Sequence, residues 1–390
     1  MKAGGNMKQA LIIGAGISGA VSGRILAESG FHVTLLEKRN HIGGNIYDYY
    51  EEDILVHKYG PHLFHTNLSE VADFLKRFSG FFPYQHRVLG EINERLVPIP
   101  FNFRCIDLLY PDSAAEHLKA VLKKAYPDGQ SVPVMELRLH PDSEVRNLAE
   151  FVFQNVFYGY TKKQWGKPPE EMSSSIMGRV PVRMSYDDRY FTDEIQMMPD
   201  KGYTVMIQEM LSHREIALRL NCDALEHIRV KADGVYLDGE QYPGEVIYTG
   251  CIDELMNHKY GRLPYRSLKF SLEKHNLAQC QPVVQVNYPN RFSYTRTSEF
   301  KLIQANPVSD KTILAYEYPI PCGEGDIPYY PIDSEENEML YQKYKKELSA
   351  IPRLHLLGRL AEYRYYNMDI TISQALKLAD RIRMEAKRQN

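Results

Sequence analysis

Apolar positions along the first 45 residues follow a strand–helix–strand pattern. Residues 10–13 (ALII) and 31–36 (FHVTLL) are short apolar runs of the kind found in strands buried on both faces. Between them, residues 20–29 repeat their apolar positions at helical spacing and stop at Gly30. Residues 47–56 read as strand-like. Residues 68–77 form an amphipathic helix, with Val71, Phe74, Leu75 and Phe78 on one side. Residues 86–92 and 95–99 alternate as the arms of a hairpin, and Pro98 and Pro100 close that unit.

From 104 to 165 the pattern turns helical, most clearly over 113–125 and 143–158, with a Pro/Gly-bearing loop at 127–133. Short extended pieces carrying arginines follow, then a helix over 204–211. Strands are predicted over 216–220, 225–230, 234–237 and 245–249, the last returning to the first sheet. Further strands are predicted over 268–272, 283–288, 312–318 and 354–357, with helices over 334–348 and 370–388. The order predicts an α/β fold whose Rossmann-like domain (residues 1–100 and 331–390) is interrupted twice. A mainly helical domain occupies 101–170 and an antiparallel sheet domain 171–330, within which 204–265 returns to the first domain.

The first turn carries the chemistry. Gly14-Ala15-Gly16-Ile17-Ser18-Gly19 is a G-x-G-x-x-G between strand and helix. The first glycine permits the turn, the second lets backbone approach a pyrophosphate, and the third lets helix pack on strand. Free N–H groups at the helix start then face phosphate. Glu37 ends the second run, where an acid accepts hydrogen bonds from ribose hydroxyls. Strand, glycines, helix, strand and acid in register point to a dinucleotide. The second glycine pair, in His41-Ile42-Gly43-Gly44-Asn45, brings more backbone to the bound group than an NAD fold needs and favours FAD.

Length and composition narrow the class. A chain of 390 residues suggests two or three domains, and a net charge of −3 gives no overall basic excess for nucleic acid or an anionic membrane. Five scattered cysteines without CxxC spacing suit a reducing cytoplasm. No apolar run approaches the roughly 20 residues that span a bilayer, and a soluble, cytoplasmic protein is expected. His57, His62 and His65 lie within nine residues, but the Gly60-Pro61 turn and the lack of neighbouring acids argue against a metal site. Residues 156–166 (VFYGYTKKQWG) crowd aromatic, basic and amide groups, including the single tryptophan, in a mixture suited to stacking a base and holding a phosphate.

The stretches EKRNHIGGN, HKYGPHLFHT, GYTKKQWG, YRSLKF, YTR, PYYP and GRLAEYRYYNMD, in this order, closely resemble the bacterial UDP-galactopyranose mutases. The likeness runs from about Lys8 to the C-terminus. It implies a Rossmann-type FAD domain, an inserted helical domain and a mostly antiparallel six-stranded sheet domain. It also implies an isomerase that interconverts UDP-galactopyranose and UDP-galactofuranose with no net redox change. In that family reduced flavin N5 attacks the anomeric carbon, UDP leaves, a sugar–flavin iminium opens and recloses, and UDP returns. A reductant such as NAD(P)H and a homodimer are implied as partners.

Matching the family's motifs, Arg179 and Arg296 are expected to hold the diphosphate, and His65 to lie near the isoalloxazine. Phe157, Tyr160, Thr161 and Trp165 match the uridine-binding stretch. Tyr190, Tyr330 and Tyr365 match tyrosines around diphosphate and sugar, Asn287 a substrate-side asparagine, and Arg266 a site-lining residue. His86 stands where some members have asparagine. Gly14, Gly16, Ser18, Gly19, Glu37, Lys38, Gly44, Asn45, His62 and Leu63 match the first flavin contacts; Arg359, Met368, Asp369, Ile370 and Thr371 match the last. A lid is expected over 165–179, because such a site admits a nucleotide sugar and then excludes water. Two departures stand out: Asn367 replaces the usual aspartate, and residues 298–302 lack a histidine-rich follow-up to YTR. An oxidase of the amine-oxidase type shares the glycine opening but not the paired arginines or GYTKKQW. A non-catalytic binder of flavin and nucleotide sugar is the remaining alternative.

Overall fold

In a computed structural model, which describes residues 8–168, 181–307 and 310–388, two large sheets organise the chain. Their strands, in chain order, are β1 (Gln9–Ile13), β2 (His32–Leu36), β3 (Val88–Ile92), β4 (Arg95–Ile99), β5 (Ile216–Arg219) and β6 (Glu245–Tyr248). They continue with β7 (Tyr265–His275), β8 (Gln285–Asn287), β9 (Arg296–Glu299), β10 (Thr312–Pro321), β11 (Tyr330–Pro331) and β12 (Leu354–Leu356). The first sheet is entirely parallel, in the order β5-β2-β1-β6-β12. Both its faces are covered, which is why β1 and β2 read as apolar runs rather than alternations.

Helix α1 (Ile17–Glu28) lies between this sheet and two further helices, α4 (Tyr203–Leu211) and α5 (Met368–Arg388). Its small residues Ser18, Gly19, Ala20, Ser22 and Gly23 are buried, so α5 packs close along it. The start of α4 is capped from a distance. Asp48 Oδ2 and Oδ1 accept from Tyr203 N (2.6 Å) and Thr204 N (2.8 Å), and Thr204 Oγ1 donates back to Asp48 O (2.7 Å). Residues 47–56 are thus one hairpin, Asp48–Glu51 against Ile54–His57, pinned to a helix about 150 residues later.

The second sheet has the order β11-β7-β10-β9-β8-β3-β4. It is antiparallel except where β8 runs parallel to β3. It holds seven strands rather than the six expected, the seventh being the two-residue β11. Residues 225–230, predicted as one strand, split into a helical turn, Ala224–His227, capped by Asp223 Oδ1, and a strand, Ile228–Lys231. Asp223 supplies a helix start that outweighs the β propensity of the residues after it.

The helices between the sheets have their own core. Phe103–Leu109, Asp112–Ala125 and α2 (Ser143–Val152) bury Phe103, Leu118, Leu122, Leu148 and Val152. Beyond α2 the chain widens into a π-helical turn, Phe153–Tyr158, before α3 (Gly159–Trp165). Among the described residues no helix is long and apolar enough to cross a membrane, and no cluster of three His, Cys, Asp or Glu residues is placed to hold a metal.

His57, at the end of the hairpin, is 2% exposed and stacks on Phe300 at 5.8 Å. Its Nδ1 accepts from His62 N (3.3 Å), while Nε2 has no hydrogen-bond partner among the described residues. Burial lowers its pKa to about 4. Below pH 6.5 the unfolded chain takes up a proton here that the fold refuses, so stability is complete above that pH and falls as pH drops toward 4. By pH 5 this one residue is expected to cost about 2 kcal/mol. Urea unfolding of His57→Gln between pH 7 and pH 5 should show a shallower loss than the wild type; equal slopes would clear His57 of the role.

Candidate active site

A cleft opens at the C-terminal ends of β1 and β2, the usual ligand position in a parallel sheet. Gly14, Gly16 and Ser18 line it at the start of α1, while Gly19 lies beneath, packing the helix on the Gly14 carbonyl. Glu37 is 5% exposed and fixed from both sides: Oε2 accepts from Ala15 N (2.8 Å) and Oε1 from Arg39 N (2.9 Å). The second glycine pair folds onto the first, with Gly43 N donating to Ala15 O (2.8 Å). At Gly44 (φ +55°) a Cβ would stand 2.9 Å from Gly16 Cα, so no side chain fits. The cleft passes Lys38 and Asn45 and ends at His62, Arg359, Met368 and Thr371. At the opposite end it meets a wider groove of about 1350 Å³, sharing Lys38, Asp223, Cys251 and Glu254.

Three expected contacts sit differently. Leu63 packs against the apolar core. Asp369 turns inward, its Oδ2 accepting from Thr66 Oγ1 (3.0 Å). Ile370 is 37% exposed on α5. Asn367 stands at the start of that helix, its carbonyl accepting from Thr371 N (3.1 Å) and Oγ1 (3.0 Å).

Beyond His62 and Arg359 the second sheet supplies a charged, aromatic wall. Arg296 on β9 and Glu317 on β10 are directly opposed, and Arg296 Nε donates to Glu317 Oε2 at 2.7 Å. Glu317 is 2% exposed. Burial opposes the charge on Arg296, but Glu317 and the hydroxyls of Tyr160 and Tyr330 outweigh it, and the guanidinium is held more firmly protonated than usual. Nε is spent on Glu317, and the guanidinium carries two further nitrogens that can donate. Asn287, 9% exposed, lies beside Arg296 on β8.

Around the pair stand Tyr160, Tyr190 and Tyr330, whose electrostatic coupling to Arg296 or to one another places them together. Burial raises the pKa of Tyr160 and Tyr330, and Arg296 pulls both back. Trp165 lies 6.1 Å from Tyr330, Tyr365 lies 5.6 Å from Tyr330, and Arg359 sits 5.0 Å over the Tyr365 ring. The Arg359 guanidinium also acts on His62, which links this wall to the end of the cleft.

Histidines form the third side. Burial first, then Arg359, lowers the pKa of His62 to about 3; burial, then Arg296, does the same for His86. Both are neutral at pH 7 and add no positive charge beside Arg296. His86 is 2% exposed and meets Tyr190 edge-on at 5.6 Å. His65 Nδ1 donates to Asp193 Oδ2 (2.8 Å), and its ring stacks on Phe191 at 3.6 Å, which in turn stacks on His86 at 5.9 Å.

The α3 helix is clamped to this sheet. Arg266, expected to line the site, is spent as a cap: Nε donates to Gln164 O (2.9 Å) and Nη2 to Lys163 O (3.1 Å), where the helix dipole is negative. Lys163 Nζ donates to Tyr288 O (2.8 Å). Thr161 is 3% exposed on the inner face of α3. Phe157 is 2% exposed and packs with Phe153 in the helical core. Arg179 and most of the expected lid lie outside the described residues.

Glu317 and Asp193 were not anticipated from the sequence. An acid inside the apolar run of 312–321 is a signal of a kind, but it names no partner until the register of β9 on β10 is known.

Residues 155–365 match the family model described as UDP-galactopyranose mutase, and residues 12–78 one described as an NAD(P)-binding Rossmann-like domain. A UDP-galactopyranose mutase of Mycoplasma pneumoniae is 38% identical over 381 residues, covering 95% of each chain. A dTDP-fucopyranose mutase of Escherichia coli is 33% identical over 382 residues, covering 96% of this chain and 98% of its own. Among solved structures, reduced UDP-galactopyranose mutase superposes with a TM-score of 0.70 at 17% identity, over 97% of this chain and 94% of its own. The chain therefore belongs to the UDP-galactopyranose mutase family.

Proposed function

We propose that the protein is an FAD-dependent isomerase that interconverts UDP-galactopyranose and UDP-galactofuranose, active with the flavin reduced. The observation that carries this reading is the half-buried Arg296 paired with the buried Glu317, near Tyr160, Tyr190 and Tyr330, beyond the end of a dinucleotide cleft. Membership of the family, and relatives named UDP-galactopyranose mutase and dTDP-fucopyranose mutase, support it.

The residues present fit FAD. Main-chain N–H groups at the start of α1 would hold its diphosphate, Glu37 would accept from the ribose hydroxyls, and the Gly16–Gly44 contact leaves room only for backbone beside them. Lys38 and Asn45 line the same path, while His62, Arg359, Met368 and Thr371 close the flavin end. When bound and reduced, the flavin supplies the nucleophile for the anomeric carbon. The protein's own groups hold the sugar and steady the departing diphosphate. Arg296, fixed charged by Glu317, meets the developing negative charge with a fork that carboxylate and phosphate oxygens match. Arg179 is its second partner in this proposal. Trp165 and Tyr160 face the uridine, Tyr330 and Tyr365 the diphosphate and galactose, and His65 the flavin. The neutral His86 and Asn287 offer hydrogen bonds to the sugar without competing for the phosphates.

In the same reading the chain divides into an FAD-binding unit, an inserted helical unit over 101–170 and a sheet unit that faces the substrate. A cytoplasmic homodimer reduced by NAD(P)H is part of the proposal.

Chromatography of UDP-sugars after incubation with UDP-galactofuranose should show UDP-galactopyranose only when dithionite or NAD(P)H is present, with dTDP-fucopyranose turned over more slowly. Equal turnover with oxidised flavin would reject the redox-gated mechanism, and a preference for the dTDP-sugar would reassign the substrate. Arg296→Lys, which keeps charge but loses the fork, is expected to lower kcat/KM about 100-fold, or about 2.7 kcal/mol. Glu317→Gln should cost at least about tenfold, because the guanidinium is no longer held. Near-normal kcat/KM in both variants would put the diphosphate elsewhere.

A further inference from the structure

The buried positions of the helical stretch 143–165 do not keep one period. Val145, Leu148, Ala149, Val152, Phe153 and Val156 follow the 3.6-residue repeat of an α-helix. Continued without a break, that stripe would next bury positions 159–160 and 163. Instead Phe157, Thr161 and Gln164 are buried, and residues 159, 160 and 163 are half-exposed. The buried face arrives one residue late. The π-helical turn Phe153–Tyr158 accounts for the shift, since it takes up one extra residue and so turns everything after it by about 100° relative to an unbroken α-helix.

Side chains support the widened turn from within and from across the site. Asn155 Nδ2 donates to Phe151 O (2.9 Å), and Asn290 Nδ2, from the loop after β8, donates to Asn155 O (3.1 Å). The same loop rests on Gly159, where a Cβ would stand 2.3 Å from Asn290 Oδ1 and 2.5 Å from Pro289 O. The helix is therefore fastened to the helical core before and within the turn, through Val152, Phe153 and Phe157, and to the second sheet after it, through Lys163 and Arg266. An unbroken α-helix satisfies one set of contacts or the other.

We propose that the extra residue of this π turn is the positioning element that aims the nucleotide-stacking face, Tyr160 and Trp165, at the wall formed by Arg296 and Tyr330. Its function is to join two layers whose helical registers differ by one residue. The inference rests on the reading that this face receives the UDP moiety.

The test uses the flavin-loaded full chain, with UDP as the probe and fluorescence as the readout, Trp165 being the only tryptophan. Deleting Gln154, whose side chain is exposed, removes the extra residue. UDP affinity should fall at least about 30-fold while flavin absorbance and helical circular dichroism are kept, and Gln154→Ala should bind UDP as the wild type does. Adding one alanine after Tyr158 to the deletion variant should restore binding, because the number of residues matters and not their identity. A deletion variant that binds UDP within about threefold of the wild type would overturn the proposal. If the deletion variant does not load flavin, Asn155→Ala and Asn290→Ala decide: a loss of about fivefold or more in UDP affinity with normal flavin content supports the proposal, and unchanged affinity overturns it. A wild-type protein that binds flavin but gives no response to UDP by fluorescence or calorimetry would remove the nucleotide-sugar reading, and this inference with it.

Discussion

A guanidinium half withdrawn from water beside a buried carboxylate needs that carboxylate as a fixed counter-charge, and the candidate site is arranged around the requirement. Taking an arginine out of water costs several kcal/mol, and the loss is recovered only by a well-placed partner. Here the partner is Glu317, held opposite Arg296 by the register of two adjacent strands rather than by a flexible loop. Cross-strand neighbours stand about 5 Å apart, a spacing at which Nε reaches the carboxylate while the rest of the guanidinium points past it. The pair thus holds a positive charge in place before any ligand arrives, and that is how a protein stabilises charge that develops during a reaction. The environment is consistent with that role. His62 and His86 are kept neutral by burial, and the tyrosines offer hydroxyl dipoles instead of further charge.

The other half of the site is governed by local sequence. Strand, glycine turn, helix, strand and Glu37 occupy one continuous segment, so each contact there joins residues close in the chain. For that reason β1, β2, α1 and the glycine end of the nucleotide cleft were legible from residues 9–44 alone. The second pair of glycines read as backbone brought close to a bound group; that Gly44 packs on Gly16 emerges only in the fold. Boundaries shifted by a residue or two, as helix ends and strand ends do.

What the sequence did not disclose depends on register and on distant partners. Glu317 is one more acid in a strand until Arg296 is placed opposite it. Arg266 reads as a cation for a ligand, yet its donors are taken by the end of α3. Phe157 sits in an aromatic motif, yet its ring belongs to the helical core. At 225–230 Asp223 starts a helical turn in residues of β character. In each case local propensity is overruled by a contact with a residue far away in the chain, or by a cap just outside the window. The drift of buried positions between Val156 and Thr161 is different: it is present in the sequence, but it takes meaning only once two packing partners are known.

These two kinds of determination bear on how the fold carries its function. The glycine turn and Glu37 make a dinucleotide site of general use, which fits a match of residues 12–78 to a broad Rossmann-like model. The family-specific match begins at Asn155, inside the π turn, and ends at Tyr365, over which Arg359 stacks. That span contains α3 with its clamp, Asn287, Arg296, Glu317 and Tyr330, the groups that shape the wall facing the cleft. The glycine end of the nucleotide cleft is thus written in a contiguous stretch, although residues as distant as Arg359 and Thr371 close its other end. The substrate wall is assembled from strands and a helix whose relative register must be kept, and it is there that a change of one residue in chain length has the larger consequence.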